Sequence, residues 1–98
     1  MTYEKLKELY PDKSKYRVSR KKRTTGASYP VTSAEGLCYI ISGSCNFEYD
    51  DFIIEGKALE KFMIPTGRYI FKPNPKEGVE LVMVWNIHEL MEKKKKAT

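Results

Sequence analysis

The sequence predicts an all-β fold, in which short antiparallel strands form a closed barrel or two packed sheets. Apolar and polar residues alternate in many short runs at even spacing, with Gly and Pro between the runs. This pattern is typical of closed or two-sheet antiparallel architectures. The strongest run covers residues 79–87, where Val79, Leu81 and Met83 alternate with Glu80. An immunoglobulin-like sandwich is the main competing architecture.

The N-terminal part of the chain predicts a short helix and then a strand. Residues 2–9 place apolar side chains on one stripe, with Thr2 as the cap and Pro11 as the stop. Residues 15–24 alternate loosely and predict a strand with one polar face. Residues 25–35 are rich in Thr, Ser, Gly and Ala and predict a loop or an irregular strand.

The rest of the chain predicts strands joined by turns. Residues 37–42 and 45–49 predict a hairpin about Gly43 and Ser44. A Pro-x-Gly sequence predicts a type II turn, with Gly67 at positive φ. Further strands are predicted at residues 52–54, 62–64, 69–72 and 79–87.

The 98 residues form one predicted domain, 1–98. Its core spans about residues 15–87, with a helix and linker at 1–14 and a Lys-rich helical tail at 88–98. No run approaches the ~20 apolar residues of a transmembrane helix, and no apolar signal region follows the first residues. We therefore expect a cytoplasmic location, or a nuclear one in a eukaryote, and no membrane partner.

Charge is unevenly distributed along the chain. Residues 1–34 hold nine Lys/Arg against three acids, whereas residues 35–60 hold one against six. The basic cluster Arg20–Arg23 is either solvated surface or a contact for a polyanion or acidic protein. No element resembles a recognition helix or an aromatic RNA-binding platform, so we expect any nucleic-acid binding to be weak and non-specific.

The segment 62–74 resembles the second conserved motif of the cupin superfamily. That motif reads Pro-x-Gly, two residues, His, three residues, Asn. This chain keeps Pro65, Gly67 and Asn74 at that spacing but holds Ile70 at the His position.

Three further features resemble cupins. Residues 39–43 resemble the strand that closes the first motif, Glu60 stands five residues before the Pro of the second motif, and residues 81–85 resemble the closing apolar strand. The resemblance covers about residues 16–87. It implies a small double-stranded β-helix, which is the cupin jelly-roll barrel.

The resemblance also implies a barrel without metal. Cupin enzymes usually take their metal from His-x-His, a Glu and a later His. These positions fall at Thr32, Ala34, Gly36 and Ile70, and the single histidine, His88, lies beyond the last strand. The one carboxylate beside them cannot hold a catalytic transition metal, which takes about three protein ligands. We expect no metal, no other cofactor and no catalytic residue.

The predicted faces of the hairpin define the candidate sites. The more apolar face should line the barrel, and Arg68 and Tyr69, beside the Pro-x-Gly turn, should lie near its mouth. The ligand-binding candidates are Cys38, Ile40, Cys45, Phe47, Tyr49, Arg68, Tyr69 and Ile70. On the opposite face, Tyr39 and Ile41 need cover from a partner subunit or from the N-terminal helix, so they are the candidates for a homodimer interface.

Two free cysteines are expected in the barrel lining. Cys38 and Cys45 share the inner face but lie several residues apart, so we expect no disulfide. They belong to no Cys-x-x-Cys motif, which argues against a zinc site.

Together these features predict a non-catalytic, metal-free cupin that binds or senses a small-molecule ligand and forms a homodimer. Two alternatives stay open. The first is a protein-interaction or dimerisation cupin, because residues 62–69 and the strand beyond also resemble the cupin of the centromere protein C family. The second is a metal-independent enzyme acting on a sugar or small polar metabolite. A packed interior would favour the interaction module, whereas an open polar pocket would favour a ligand binder or an enzyme.

Overall fold

A computed structural model of the chain describes residues 2–23 and 27–89. The elements are α1 (Tyr3–Leu9), β1 (Tyr16–Arg23), β2 (Tyr29–Ser33), β3 (Gly36–Glu48), β4 (Ile53–Lys57), β5 (Lys61–Ile64), β6 (Gly67–Pro73) and β7 (Val79–Asn86). Residues 87–89 are helical, and the rest of the predicted tail lies outside the described residues. Within the described ranges, no helix is long and apolar enough to cross a membrane.

The strands form two antiparallel sheets that share β3. In the first sheet the order is β1-β7-β3-β5, and in the second it is β2-β6-β3-β4. The inner faces of the two sheets pack against each other around one apolar core, which we call the barrel interior. The predicted all-β barrel with a short N-terminal helix is therefore confirmed.

β3 passes from the first sheet to the second at Gly43. Its first half pairs with β5 and β7, and its second half, from Ser44 onward, pairs with β4 and β6. The predicted hairpin about Gly43 and Ser44 is therefore wrong, because the chain continues in one direction instead of folding back. Gly43 adopts φ +74°, which lets the strand bend at this point.

A β-bulge in β3 places residues on either side of Gly43 on the same inner face. The pairing with β7 shifts between Ile40 and Ser42. Such a shift moves the following side chains to the other side of the strand. Cys38 and Ile40 therefore share the barrel interior with Cys45 and Phe47, as the hairpin prediction required.

The loop after β6 holds the bend of β3 in place. Asn74 donates from Nδ2 to Ser44 Oγ at 3.0 Å, and its backbone N–H donates to the Ser44 carbonyl at 2.9 Å. Its Oδ1 accepts from the amides of Lys76 and Glu77. Asn74, the last residue of the cupin-like motif, therefore has a structural role.

The Pro-x-Gly turn carries the chain from the first sheet to the second. β5 pairs with β3 in the first sheet, whereas β6 begins at Gly67 and pairs with β2 and β3 in the second. Gly67 has φ +142°, so the predicted positive φ is confirmed. This value lies far from the ~80° that a type II turn takes at this position, so that turn type is wrong.

The helix α1 covers part of the outer face of the first sheet. Thr2 caps it by accepting from the amide of Lys5 at 3.3 Å, as predicted. Leu6 is fully buried against Tyr39 and the outward-facing side chains of β7. The hydroxyls of Tyr10 and Tyr39 form a hydrogen bond of 3.0 Å. The cover for Tyr39 thus comes from the N-terminal helix of the same chain.

Candidate functional site

Large side chains fill the barrel interior. Phe47, only 1% exposed, lies at its centre. Its ring centroid is 5.4 Å from those of Tyr69 and Phe71 and 6.0 Å from that of Phe62. No buried charged or polar side chain occurs in the core of the described ranges. The interior is therefore a packed aromatic and aliphatic core.

The structure brings together most of the predicted ligand-binding residues. Cys38, Ile40, Cys45, Phe47 and Tyr69 all belong to the buried interior cluster, and Tyr49 packs against its rim. The Tyr49 hydroxyl donates to the Pro65 carbonyl at 2.7 Å, and its ring stacks on Phe52 at 4.7 Å between centroids.

Arg68 and Ile70 are not part of this group. Successive side chains on a strand point to opposite faces, and the inward residues of β6 are Tyr69 and Phe71. Arg68 and Ile70 therefore lie on the outer face of the second sheet, where they border a hollow with Glu48. Neither residue therefore lines the barrel interior, and the expected place of Arg68 near the barrel mouth stays a prediction.

The two interior thiols are protonated and inert. Cys38 and Cys45 are both free and buried. Burial raises the pKa of the Cys45 thiol to about 12. Burial, and then the neighbouring Cys45, raise the pKa of Cys38 well above its usual range. A thiol is nucleophilic only as the thiolate, so neither cysteine is activated at neutral pH.

A basic–aromatic edge lies where β1 approaches β2, and we define it by Lys21, Arg23, Tyr29 and Phe71. The Lys21 Nζ lies 5.0 Å from the ring centroid of Phe71 and 5.3 Å from that of Tyr29. The Arg23 guanidinium carbon lies 5.4 Å from the Tyr29 centroid. Lys21 pairs with Leu81, whose side chain faces the interior, so the polar face of β1 also faces inward.

Sequence reasoning missed this edge although the sequence contains its signal. The polar face of β1 carries Arg17, Lys21 and Arg23 at alternate positions, and such a face is usually solvated. The opposite face holds Tyr16 and Val18, which pack in the outer cluster under α1. The polar face points inward because α1 covers the opposite face of β1, and this contact cannot be inferred from the strand sequence alone.

An outer strip of apolar residues remains beside α1 on the first sheet, and we define it by Leu37, Ile41, Leu59 and Met63. Leu59 is 81% exposed and Met63 is 56% exposed. Leu59 also adopts φ +71°, which is unusual for a residue other than glycine. A hollow of about 180 Å³ borders Leu37 and Met63, and another of about 230 Å³ borders Ile41 and Leu59.

Comparison with known proteins identifies the fold. No family model and no curated protein matches this sequence. Among solved structures, the EutQ protein of Clostridium difficile is similar with a TM-score of 0.61 and 15% identity, over 76% of this chain and 54% of that one. A cupin-2 domain containing protein of Shewanella frigidimarina matches with a TM-score of 0.57 and 16% identity, over 88% of this chain and 93% of that one. The chain has the cupin fold.

A third similar structure is the Cnp3 cupin domain of Schizosaccharomyces pombe. It matches with a TM-score of 0.61 and 19% identity, over 74% of this chain and 53% of that one. This chain therefore spans about half the length of the EutQ and Cnp3 chains. At these identities the similarity concerns the fold alone, and the cupin resemblance of the sequence is confirmed at that level.

The positions that correspond to cupin metal ligands do not converge in this chain. Thr32 and Ala34 are exposed, whereas Tyr29 and Val31 are the β2 residues that pack on the interior. Ile70 points outward, as described above. Across residues 2–23 and 27–89, no three His, Cys, Asp or Glu side chains lie close enough to share a metal ion. The side chains of the interior therefore do not fit a metal centre.

Proposed function

We propose that this cupin is a non-catalytic, metal-free binding module that forms a homodimer through its outer strip. The observation that carries the proposal is the contrast between its two surfaces. The interior is filled by Phe47, Phe71 and their aromatic neighbours, whereas large apolar side chains are exposed outside. A packed interior favours recognition by the outer surface.

The chemistry of the interior argues against an enzyme. Catalysis by acid, base or nucleophile needs a group with a pKa matched to its task. The titratable groups of the fully buried core are two protonated thiols and the phenol of Tyr69, whose pKa burial raises to about 12. These groups stay neutral at pH 7, so the metal-independent enzyme is the least supported of the alternatives.

The shape of the outer strip supports a second copy of this chain as its partner. A twofold interface brings the same patch from both subunits together, so protrusions and hollows must occur on one surface. Met63 protrudes beside the hollow of about 180 Å³, and Leu59 protrudes beside the hollow of about 230 Å³. Met63 and Leu59 of one subunit can therefore enter the hollows of the other.

The energetics of the strip support the same partner. Burying a Leu or Met side chain contributes about 1.5–3 kcal/mol. Holding a non-glycine residue at positive φ costs on the order of 1 kcal/mol, so burial of Leu59 in an interface would offset the strain of its φ +71°. A standard interface removes about 800 Å² per partner, which is roughly one eighth of the 6638 Å² accessible surface. Because α1 already covers Tyr39, the proposed interface centres on Ile41 and β5.

Light scattering at about 100 μM tests the proposal, since a stable dimer is saturated at that concentration. The wild type should have about twice its monomer mass of 11.4 kDa. Met63→Lys and Leu59→Lys should give monomers, because each places a charge in the interface. A wild type that is monomeric at this concentration would contradict the proposal.

The matched control is Ile53→Lys. Ile53 is 61% exposed, an exposed fraction similar to the 56% of Met63. However, Ile53 lies on the outer face of the second sheet. This variant should stay dimeric. If it dissociates the protein as strongly as Met63→Lys does, the outer strip is not the interface.

A small-ligand binder is the second candidate function. The observation that favours it is the inward-facing Lys21 together with Tyr29, whose buried hydroxyl has no hydrogen-bond partner among the described residues. Ligand binding there is compatible with dimerisation, because the basic–aromatic edge involves β1 and β2, whereas the outer strip involves β3 and β5.

A further inference from the structure

We propose that the basic–aromatic edge binds a small anion with a carboxylate or phosphate group, through Lys21, Arg23 and the hydroxyl of Tyr29. The proposal deepens the second candidate function by naming the ligand class. It does not depend on dimerisation through the outer strip.

The location of the edge in the fold makes it accessible. β1 and β2 are the terminal strands of the two sheets, and in the described residues they do not pair with each other. Side chains cross this gap instead, with Lys21 and Arg23 lying over the ring of Tyr29. A gap closed by flexible cationic side chains can admit a ligand without breaking backbone hydrogen bonds.

The charges at the edge form no ion pair with the residues that the structure describes. Arg20, which points outward from β1, pairs with Glu80 at 2.9 Å. In contrast, neither Lys21 nor Arg23 forms an ion pair with a carboxylate of the described residues, and Arg23 donates only to the carbonyl of Lys22. Arg23 is exposed, but Lys21 is half-buried, and a half-buried cation is stabilised when a counter-charge accompanies it. An anion bound between β1 and β2 would supply that charge.

Tyrosine hydroxyls provide neutral donors beside these cations. The Tyr29 hydroxyl is buried and has no hydrogen-bond partner within residues 2–23 and 27–89, and an unsatisfied buried donor costs about 1–3 kcal/mol. Tyr69 lies in the same interior, where burial and then Tyr49, Cys38 and Tyr29 raise its pKa to about 12. The buried Tyr29 hydroxyl can therefore donate to a bound anion, and the aromatic walls suit a ligand with an apolar body.

A purely structural role for the cations is the competing explanation. Inward-pointing charges on an edge strand also prevent it from pairing with another chain. That role predicts no saturable anion binding. It also predicts that the Tyr29 hydroxyl, as distinct from its ring, has no effect on binding. The two explanations therefore differ in a measurable way.

Titration followed by NMR tests the proposal on the full chain. The probes are sodium phosphate and sodium benzoate, each added at constant ionic strength set with sodium chloride. We expect saturable shifts of the Lys21, Tyr29 and Tyr69 signals with at least one probe, and the responding probe identifies the head group. Lys21→Gln should weaken that binding at least tenfold. No saturable shift with either probe, or equal binding by Lys21→Gln, would overturn the proposal.

Two further variants distinguish a loss of binding from a loss of stability or a general loss of positive charge. Tyr29→Phe keeps the ring that Lys21 and Arg23 contact and removes only the hydroxyl. It should leave the melting temperature of the free protein unchanged or higher, while weakening binding at least threefold. Lys61→Gln is the control, because the Lys61 Nζ lies 5.9 Å from the Tyr39 ring on the outer face of the first sheet. Unchanged binding by Tyr29→Phe, or equal weakening by Lys61→Gln, would contradict the proposed site.

Discussion

Replacing Gly43 by Ala tests the passage of β3 from one sheet to the other. With φ +74°, a Cβ at this position would lie against the Gly78 carbonyl and 3.0 Å from the Cα of Val79. The left-handed conformation alone costs a residue with a Cβ about 1–2 kcal/mol. Displacing the Gly78 carbonyl would also weaken its 3.1 Å hydrogen bond from the Ser44 amide, a loss of about 1 kcal/mol.

These terms predict that Gly43→Ala lowers the free energy of unfolding by about 2–3 kcal/mol. For a domain of this size, the loss corresponds to a fall in melting temperature of about 10–20 °C. Urea unfolding followed by the fluorescence of Trp85, the only tryptophan, measures it. All variants are compared at one protein concentration, because the stability of a dimer depends on concentration.

Gly67→Ala is the matched comparison. Gly67 also has a positive φ, +142°, but an added Cβ would meet only ring carbons of Tyr49, the nearer at 3.7 Å, which is an ordinary contact. Its cost is therefore conformational, about 1 kcal/mol. If the two variants lose equal stability, or if Gly43→Ala unfolds like the parent, the passage of β3 at Gly43 is wrong.

Three other predictions follow from the interior and its tyrosines. Cys38 and Cys45 should not react with a thiol reagent at pH 8 in the folded protein and should both react after denaturation; fast reaction in the native state would contradict their burial. Because the pKa values of Tyr39 and Tyr69 are raised from 10.0 to about 12, mainly by burial, both phenols ionise earlier in the unfolded chain. The two phenols contribute fully to the free energy of unfolding below pH 10, and this contribution is lost as the pH rises to 12. The free energy of unfolding should therefore fall between pH 10 and pH 12, and it should fall less steeply in Tyr69→Phe. Metal analysis after dialysis should find well below one equivalent of Zn, Fe, Mn, Ni or Cu, and a retained equivalent would refute the metal-free barrel.

The barrel lining could be predicted because a strand alternates its side chains with a period of two. This period, together with one switch from even to odd inward positions near Gly43, assigns four residues to one face: Cys38, Ile40, Cys45 and Phe47. The predicted hairpin accounted for this switch, because a Gly-Ser pair is suited to a tight turn. A bulge produces the same change of parity, and only the long-range pairing of β3 distinguishes the two.

The position of Ile70 and the direction of β1 could not be read from the sequence for different reasons. A motif spacing counts residues, but the face on which Ile70 lies depends on where β6 begins and on the unusual φ of Gly67. For β1, charged side chains normally point to solvent. Lys21 departs from this rule because α1 covers the opposite face of the strand, and that contact is not local in sequence.

Isotope-filtered NMR on a mixed dimer tests the central claim most directly, namely that the outer strip meets its counterpart in a second copy. One subunit carries ¹³C-labelled Met and Leu methyl groups and the other is unlabelled. We predict intermolecular contacts from the methyl groups of Met63 and Leu59, and none from Met83, which is buried in the interior. A dimer without contacts from Met63 and Leu59 would contradict the account.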